Sequence, residues 1–247
     1  MRRLVACAGL LSLAMTACEP ATDPTHDVDI RTTDGVILKG SYLSPGKPGP
    51  AIVLFHQGNM DRHAWDSLAG DLTAAGFHVL TVDERGKGES GGRVQGQVDG
   101  SRQGADDDDA TYEYLLSRPD VDRTRVAAGG ASAGVTQSVD LAARHHELRA
   151  LMLLSGFATK AGLAYIAATP SLPIFGAVSK YDVAGSMGEI VEASKNPNSV
   201  LKVYPGYWFD LLIGRGEHGV ALFRRNHDLR PAMVAWLLAQ LAVPSAP

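Results

Sequence analysis

The sequence predicts an α/β protein, a single domain built on a mostly parallel central sheet with helices on both faces. Three features of the chain carry this. From Val28 onward, strand-like runs alternate with segments of helical periodicity. Several strand-like runs are apolar throughout, Ala51–Phe55 (AIVLF) most plainly, as strands covered on both faces must be. No linker or composition break divides residues 28–242. The 247 residues are 45% hydrophobic and 20% charged, which excludes a disordered chain, and the absence of any repeat excludes collagen-like architectures. A formal charge of −4 offers no basic footprint, so nucleic acid is not expected as a partner.

Val28–Thr32 and Val36–Tyr42 flank Thr33-Asp34-Gly35, a hairpin signal. Ala51–Phe55 is a buried strand. Trp65, Leu68, Leu72 and Ala75 set a helical period over His63–Ala75, and Gly76 stops it. Val79–Val82 is the next strand. Asp106–Leu116 reads as a helix whose first turn holds Asp106 to Asp109. Neighbouring helical residues point about 100° apart, so those four acids are expected to favour the helix dipole rather than converge on a metal. Arg125–Gly129 is a strand, Val135–His145 a helix, and Leu148–Leu154 a further apolar strand. Ile174–Val178, a helix over Met187–Ser194, strand Val200–Tyr204 and a final helix over Ala221–Leu241 complete the alternation.

Both cysteines, Cys7 and Cys18, fall within the first eighteen residues, so the body of the fold can hold neither a disulfide framework nor a cysteine-based metal site. Arg2 and Arg3 precede a short apolar stretch, Leu4 to Ala14, which is too short for the roughly 20 residues that span a bilayer. This is the form of an export signal over residues 1–17. Met15-Thr16-Ala17-Cys18 resembles the lipobox of bacterial lipoproteins, with Met15 where leucine is usual. That resemblance implies a lipidated Cys18 as the mature N-terminus, and Glu19 after it favours the outer membrane. Cys7 is the weaker candidate, because cleavage there leaves almost no apolar stretch. A plain secretory signal that contains a cysteine is the other reading. Residues 18–27, with Pro20 and Pro24, read as a polar tether, and loss of Arg2 and Arg3 leaves 21 basic residues against 27 acidic, a net of −6.

Gly130-Ala131-Ser132-Ala133-Gly134 fits G-x-S-x-G, directly after a strand and directly before a helix. A nucleophile elbow needs that context, because the turn is tight and strained and leaves the serine projecting. The N–H of Ala133 then faces the space where a tetrahedral intermediate gathers charge. A serine needs a base, and the base an orienting acid. The elbow's partners follow in the chain order serine, acid, histidine. His145 and His146 lie too near the elbow in sequence. His218, in Gly216-Glu217-His218-Gly219, lies in a loop that can reach over it and is preferred to His227, which falls within the terminal helix. Asp182, four residues past strand Ile174–Val178, is the expected acid. Asp210 is the rival, in an apolar loop with no strand before it. The second oxyanion donor is expected from the loop after Ala51–Phe55, His56-Gln57-Gly58-Asn59-Met60, from the amide of Gly58 ahead of that of Gln57.

These residues together resemble the α/β-hydrolase superfamily, in its small-lidded dienelactone-hydrolase-like and serine-aminopeptidase-like branches. The resemblance covers most of residues 28–242. It rests on His56-Gln57-Gly58, the D-x-R-G-x-G-x-S turn Asp83 to Ser90, the elbow at Ser132, Asp182 and His218, all in order. It implies the α/β-hydrolase fold, a structural rather than catalytic role for the turn at 83–90, and no metal or organic cofactor. Two departures stand out. The family commonly has His-Gly where this chain has His56-Gln57. The segment Gly206 to Glu217, with Tyr207, Trp208 and Phe209, is longer than the usual link into the histidine, and is expected to be a packed loop ahead of an aromatic pocket wall or a membrane-facing edge. Only about twenty residues, Ser155 to Pro173, precede the strand that leads to Asp182, too few for the large lid of an interfacial lipase. The elbow carries serine rather than aspartate, which argues against dehalogenase chemistry.

The expectation is therefore a serine hydrolase of small ester substrates, held to a membrane by Cys18. Ser132 attacks, His218 moves the proton, Asp182 orients it, and Ala133 and Gly58 hold the oxyanion. A peptidase or an acyltransferase with the same triad, and a surface lipoprotein that keeps the fold only for binding, are the alternatives.

Overall fold

A computed structural model of the chain describes residues 25–93, 102–182, 186–206 and 217–242. The signal and lipidation readings at residues 1–17, Cys7 and Cys18, the rival acid Asp210, and Tyr207, Trp208 and Phe209 lie outside them.

The chain begins with a hairpin, β1 (Thr25–Arg31) and β2 (Ile37–Leu43), paired antiparallel from Thr25↔Leu43 to Arg31↔Ile37. Its turn closes as predicted at Thr32 to Gly35, with the Thr32 hydroxyl donating to Asp34 Oδ1 and Gly35 at positive φ. Then come β3 (Gly49–Phe55), a 3-10 turn (Arg62–Trp65), α1 (Asp66–Ala74) and β4 (His78–Val82). They are followed by α2 (Arg102–Leu116), β5 (Val121–Ala131), α3 (Ala133–Arg144) and β6 (Ala150–Leu154). The last part holds α4 (Lys160–Ala168), β7 (Ile174–Ser179), α5 (Met187–Ser194), β8 (Val200–Tyr204), a 3-10 turn (Gly219–Arg224) and α6 (Leu229–Gln240).

The eight strands form one sheet in the order β1-β2-β4-β3-β5-β6-β7-β8, antiparallel at β1-β2 and β2-β4 and parallel from β4 to β8. This is the α/β-hydrolase fold. The continuous apolar strands have the reason expected of them. Along β3, Ala51, Val53 and Phe55 enter a core shared with α2, α3, α4 and α5, while Ile52 and Leu54 enter a second core shared with α1 and α6. Successive side chains of a strand leave on opposite faces, so a strand covered on both sides needs every residue apolar. On α1, Leu68 and Leu72 are fully buried against the sheet, each contributing about 1.5–3 kcal/mol by leaving water.

Two expectations are corrected. The aspartate run does not open its helix: α2 starts at Arg102 and passes through Gly104, so Asp106 to Asp109 lie in its second turn. Rather than meeting a helix dipole, the acids take separate partners. Asp107 accepts from Arg85 Nε and Nη2 (2.8 and 2.6 Å), Asp108 from Gln137 Nε2 (3.2 Å) and Asp109 from Arg144 Nε (2.8 Å). Among the described residues no group of acids, histidines or cysteines is placed to hold a metal ion.

The final helix is also divided. Its apolar period continues, but Pro231 cannot donate to the carbonyl of His227, which an unbroken helix would require. The 3-10 turn therefore ends at Arg224, Asn226 Nδ2 donates to Leu222 O (2.8 Å), and α6 starts at Leu229, with Pro231 in its first turn. His227 lies in the break, exposed, and not within a helix.

Between β6 and β7 the chain adds α4 alone, so the lid is minimal.

Candidate active site

The site lies where β3, β5, β6 and β7 end, at the carboxyl edge of the parallel sheet. Ser132 joins β5 to α3 at φ 53°, ψ −113°, one of three non-glycine residues at positive φ among the described residues. Such a conformation costs of order 1–3 kcal/mol and persists only where its surroundings impose it. They do so here. A Cβ on Gly130 would fall onto the carbonyl oxygen of Gly134, and a Cβ on Gly134 onto that of Phe55. Both glycines of the motif are thus required by backbone approaching backbone. Ser132 N–H donates to Leu154 O (2.9 Å), which ties the elbow to the end of β6. The N–H of Ala133 opens α3 and is one of the four that helix geometry leaves without an intrahelical acceptor.

Asp182 follows β7 in a turn closed by its own N–H donating to Ser179 O (3.0 Å). His218 Nδ1 lies 2.8 and 3.0 Å from the two Asp182 carboxylate oxygens, so Nδ1–H donates to them and Nε2 is left to exchange a proton. The carboxylate is 4% exposed and the imidazole 29%, a buried acid paired with an imidazole that solvent can reach. The structure thus brings Asp182 and His218 together across 36 positions of sequence.

Gly58 is exposed, three residues past the end of β3, and a Cβ there would meet nothing within 4 Å among the described residues. The residue before it does something the sequence did not foretell. Gln57 is buried, and its side-chain Oε1 accepts the N–H of Val220 (3.2 Å), two residues past His218. Its Nε2 donates to Asn59 Oδ1 (2.9 Å). The departure from His-Gly was the available signal, but nothing in it indicated where a glutamine side chain would go. His56, fully buried, accepts the Glu84 N–H at Nε2 (3.1 Å) and donates from Nδ1 to Gln57 O (2.8 Å), which pins this loop to the one after β4.

The turn at 83–90 is structural. Asp83 Oδ1 accepts the N–H of Arg62 (2.7 Å), its Oδ2 that of Glu89 (2.9 Å), and its backbone carbonyl the hydroxyl of Ser90 (2.6 Å). Gly88 is at positive φ against the Asp83 carboxyl, which leaves no room for a Cβ. Arg85 grips Asp107 and Asp34, and that grip holds the carboxyl of Asp34 well below the usual carboxylate range. Beside Gln137 of α3, burial pushes the Asp108 carboxyl well above that range. Phe157, just past β6, and Tyr181, beside Asp182, are large hydrophobic side chains exposed at this edge.

Comparison with known proteins agrees with this architecture. The chain is 37% identical over 139 residues to an uncharacterised protein of Mycobacterium tuberculosis (55% of this chain, 47% of the relative). It is 33% identical over 109 residues to a thiohydrolase of Arthrinium phaeospermum (44% and 35%) and 30% identical over 129 residues to a polyketide transferase of Gibberella fujikuroi (51% and 39%). The chain spans under half the length of these curated relatives. Among solved structures, the esterase Pf2001 of Pyrococcus furiosus superposes with a TM-score of 0.69 at 18% identity, covering 88% of this chain and 93% of that one. The α/β hydrolase GrgF of a Penicillium species superposes with a TM-score of 0.69 at 16% identity, covering 89% and 100%. The signature of the serine aminopeptidase S33 family matches residues 46–180, more than half of the chain. The chain belongs to that family of α/β hydrolases.

Proposed function

We propose that the protein is a serine hydrolase that cleaves esters of small substrates through an acyl-enzyme on Ser132. The observation that carries the reading is the Asp182–His218 bond, formed at the same sheet edge as the strained serine. Ser132 Oγ bonds to the ester carbonyl carbon while its proton passes to His218 Nε2. The carbonyl oxygen becomes an oxyanion, held by the N–H groups of Ala133 and Gly58. Asp182 holds the imidazole in the tautomer that leaves Nε2 free to accept, and stabilises the imidazolium. Collapse expels the alcohol, which takes the proton from Nε2. Water then attacks the acyl carbon, gives its proton to Nε2, and releases the acid with Ser132 reprotonated. Phe157 and Tyr181 offer apolar contact at the rim of the site, and the minimal lid leaves it open to small substrates.

Relatives named as thiohydrolases and polyketide transferases favour a second reading of the same chemistry, in which the acyl group arrives as a thioester or leaves on an acceptor other than water. The family's name suggests aminoacyl substrates as a third. A panel of p-nitrophenyl esters, acyl thioesters and aminoacyl anilides, each with and without an added alcohol, separates them. We expect ester hydrolysis to dominate. Faster anilide cleavage would make the protein a peptidase, and transfer exceeding hydrolysis an acyltransferase.

Export and lipid anchoring at Cys18 complete the proposal. The basic pair Arg2-Arg3, the short apolar stretch and the lipobox-like Met15 to Cys18 support them.

A further inference from the structure

We propose that Gln57 is a positioning residue whose side chain ties the loop of the oxyanion donor to the loop of the proton-shuttling histidine, so that His218 and the Gly58 amide stand in fixed relation above Ser132. The inference rests on the reading of His218 as the proton shuttle. Gln57 leaves the end of β3 one residue before Gly58, yet its buried Oε1 accepts the N–H of Val220, 163 positions later in the sequence. The intervening residue is shaped to receive it. Gly219 is at φ 59°, and a Cβ there would fall onto Gln57 Oε1. The glutamine head therefore occupies the space that a side chain at 219 would take. The head is itself oriented, because Nε2 donates to Asn59 Oδ1 (2.9 Å), which leaves Oε1 facing Val220.

The loop on which Gln57 stands is held from its other side. Glu84 N–H donates to His56 Nε2, His56 Nδ1–H donates to Gln57 O, and Met60 N–H donates to the same carbonyl (2.9 Å). One chain of hydrogen bonds thus runs from the loop after β4, through the oxyanion loop, to the residue two beyond His218. Asp182 fixes the imidazole's orientation but not the height of the backbone that bears it. The Gln57–Val220 bond supplies that constraint. A glycine after His56, as the family commonly has, has no side chain with which to make it. A misplacement of about 1 Å in a catalytic group can lower a rate by as much as about a hundredfold while leaving substrate binding intact.

The test uses the purified chain with a p-nitrophenyl ester, active sites being counted by burst titration with a fluorophosphonate, so that unfolded protein does not enter kcat. Gln57→Met keeps the length and burial but loses the acceptor. Its kcat is expected to fall by roughly 10- to 100-fold with KM within about twofold of wild type. Gln57→Glu keeps an acceptor for the Val220 N–H and is expected to recover most of that loss. Gly219→Ala displaces the same acceptor by sterics, so Gln57→Met and Gly219→Ala combined should lose little more than the worse single variant. Undiminished kcat in Gln57→Met, an equal loss in Gln57→Glu, or losses that multiply in the double variant would overturn the proposal. A wild type inert to both ester and probe would overturn the hydrolase reading and this inference with it. An active wild type beside an equally active Gln57→Met would overturn the positioning role alone.

Discussion

His218 Nδ1 stands 2.8 and 3.0 Å from the two carboxylate oxygens of Asp182. The acid is buried, its partner open to the site, and neither lies near the other in sequence. Both carboxylate oxygens are within reach of one N–H, which fixes the tautomer more firmly than one contact would. Asp182→Asn replaces an acceptor with an amide that can donate to Nδ1, favouring the tautomer with its proton on Nε2, where it blocks proton acceptance. The ester kcat should fall by roughly a thousand- to ten-thousandfold with the fold unchanged by circular dichroism. A wild-type rate would move the acid elsewhere, with Asp210 the first residue to try.

The glycines of the elbow are required by space. In Gly134→Ala the new methyl meets the carbonyl of Phe55, where β3 supports α3. β3 is paired on both sides within the sheet and α3 is packed into the core against it, so neither can retreat freely, and urea unfolding should show a loss of roughly 2–3 kcal/mol. A variant as stable as wild type would mean that the approach is looser than the structure has it.

Ser155 presents the opposite case. It is fully buried at φ 50°, and its Oγ has no hydrogen-bond partner among the described residues. Ser155→Gly removes both the strained φ and the unsatisfied hydroxyl, at the smaller cost of a more flexible unfolded chain. Stability should rise by about 1 kcal/mol, seen as a higher Tm. A fall would show that the hydroxyl carries an interaction of its own.

Asp108 makes stability depend on pH. Burial, the largest cause, raises its carboxyl pKa, with Arg144 opposing it. The native state therefore keeps a proton that the unfolded chain releases above its ordinary pKa of about 4, and stability falls as pH rises from there towards the native value. Asp108→Asn carries no such titration, and its amide adds a donor beside Gln137, whose Oε1 has no partner among the described residues. Thermal unfolding should find the variant more stable than wild type at pH 8, by about 1 kcal/mol, with the gap closing towards pH 4. A gap that widens as pH falls would contradict this.

Much of this architecture was legible in the sequence because local and global signals agree. The alternation of elements, the all-apolar β3 and the G-x-S-x-G junction each report a backbone constraint that few residues satisfy. The Asp182–His218 pairing was legible through order along the chain and through Asp182 following a strand. Less was legible where a residue's role depends on a partner far away in sequence. Asp106 to Asp109 look alike as a run, yet Arg85, Gln137 and Arg144 give three of them different environments. Pro231 shows in sequence but its effect does not, because the apolar period of the last helix runs through the break it imposes. The Gln57 side chain takes its meaning from Val220 and Gly219, which only the folded chain brings near.

The proposed chemistry stands or falls on Ser132. Wild-type protein and Ser132→Ala would be treated with a fluorophosphonate probe and assayed on p-nitrophenyl acetate, with near-ultraviolet circular dichroism as the control for folding. Stoichiometric labelling and turnover are expected in the wild type, and neither in a folded Ser132→Ala. Labelling or normal turnover in that variant would overturn the assignment of Ser132 as the nucleophile.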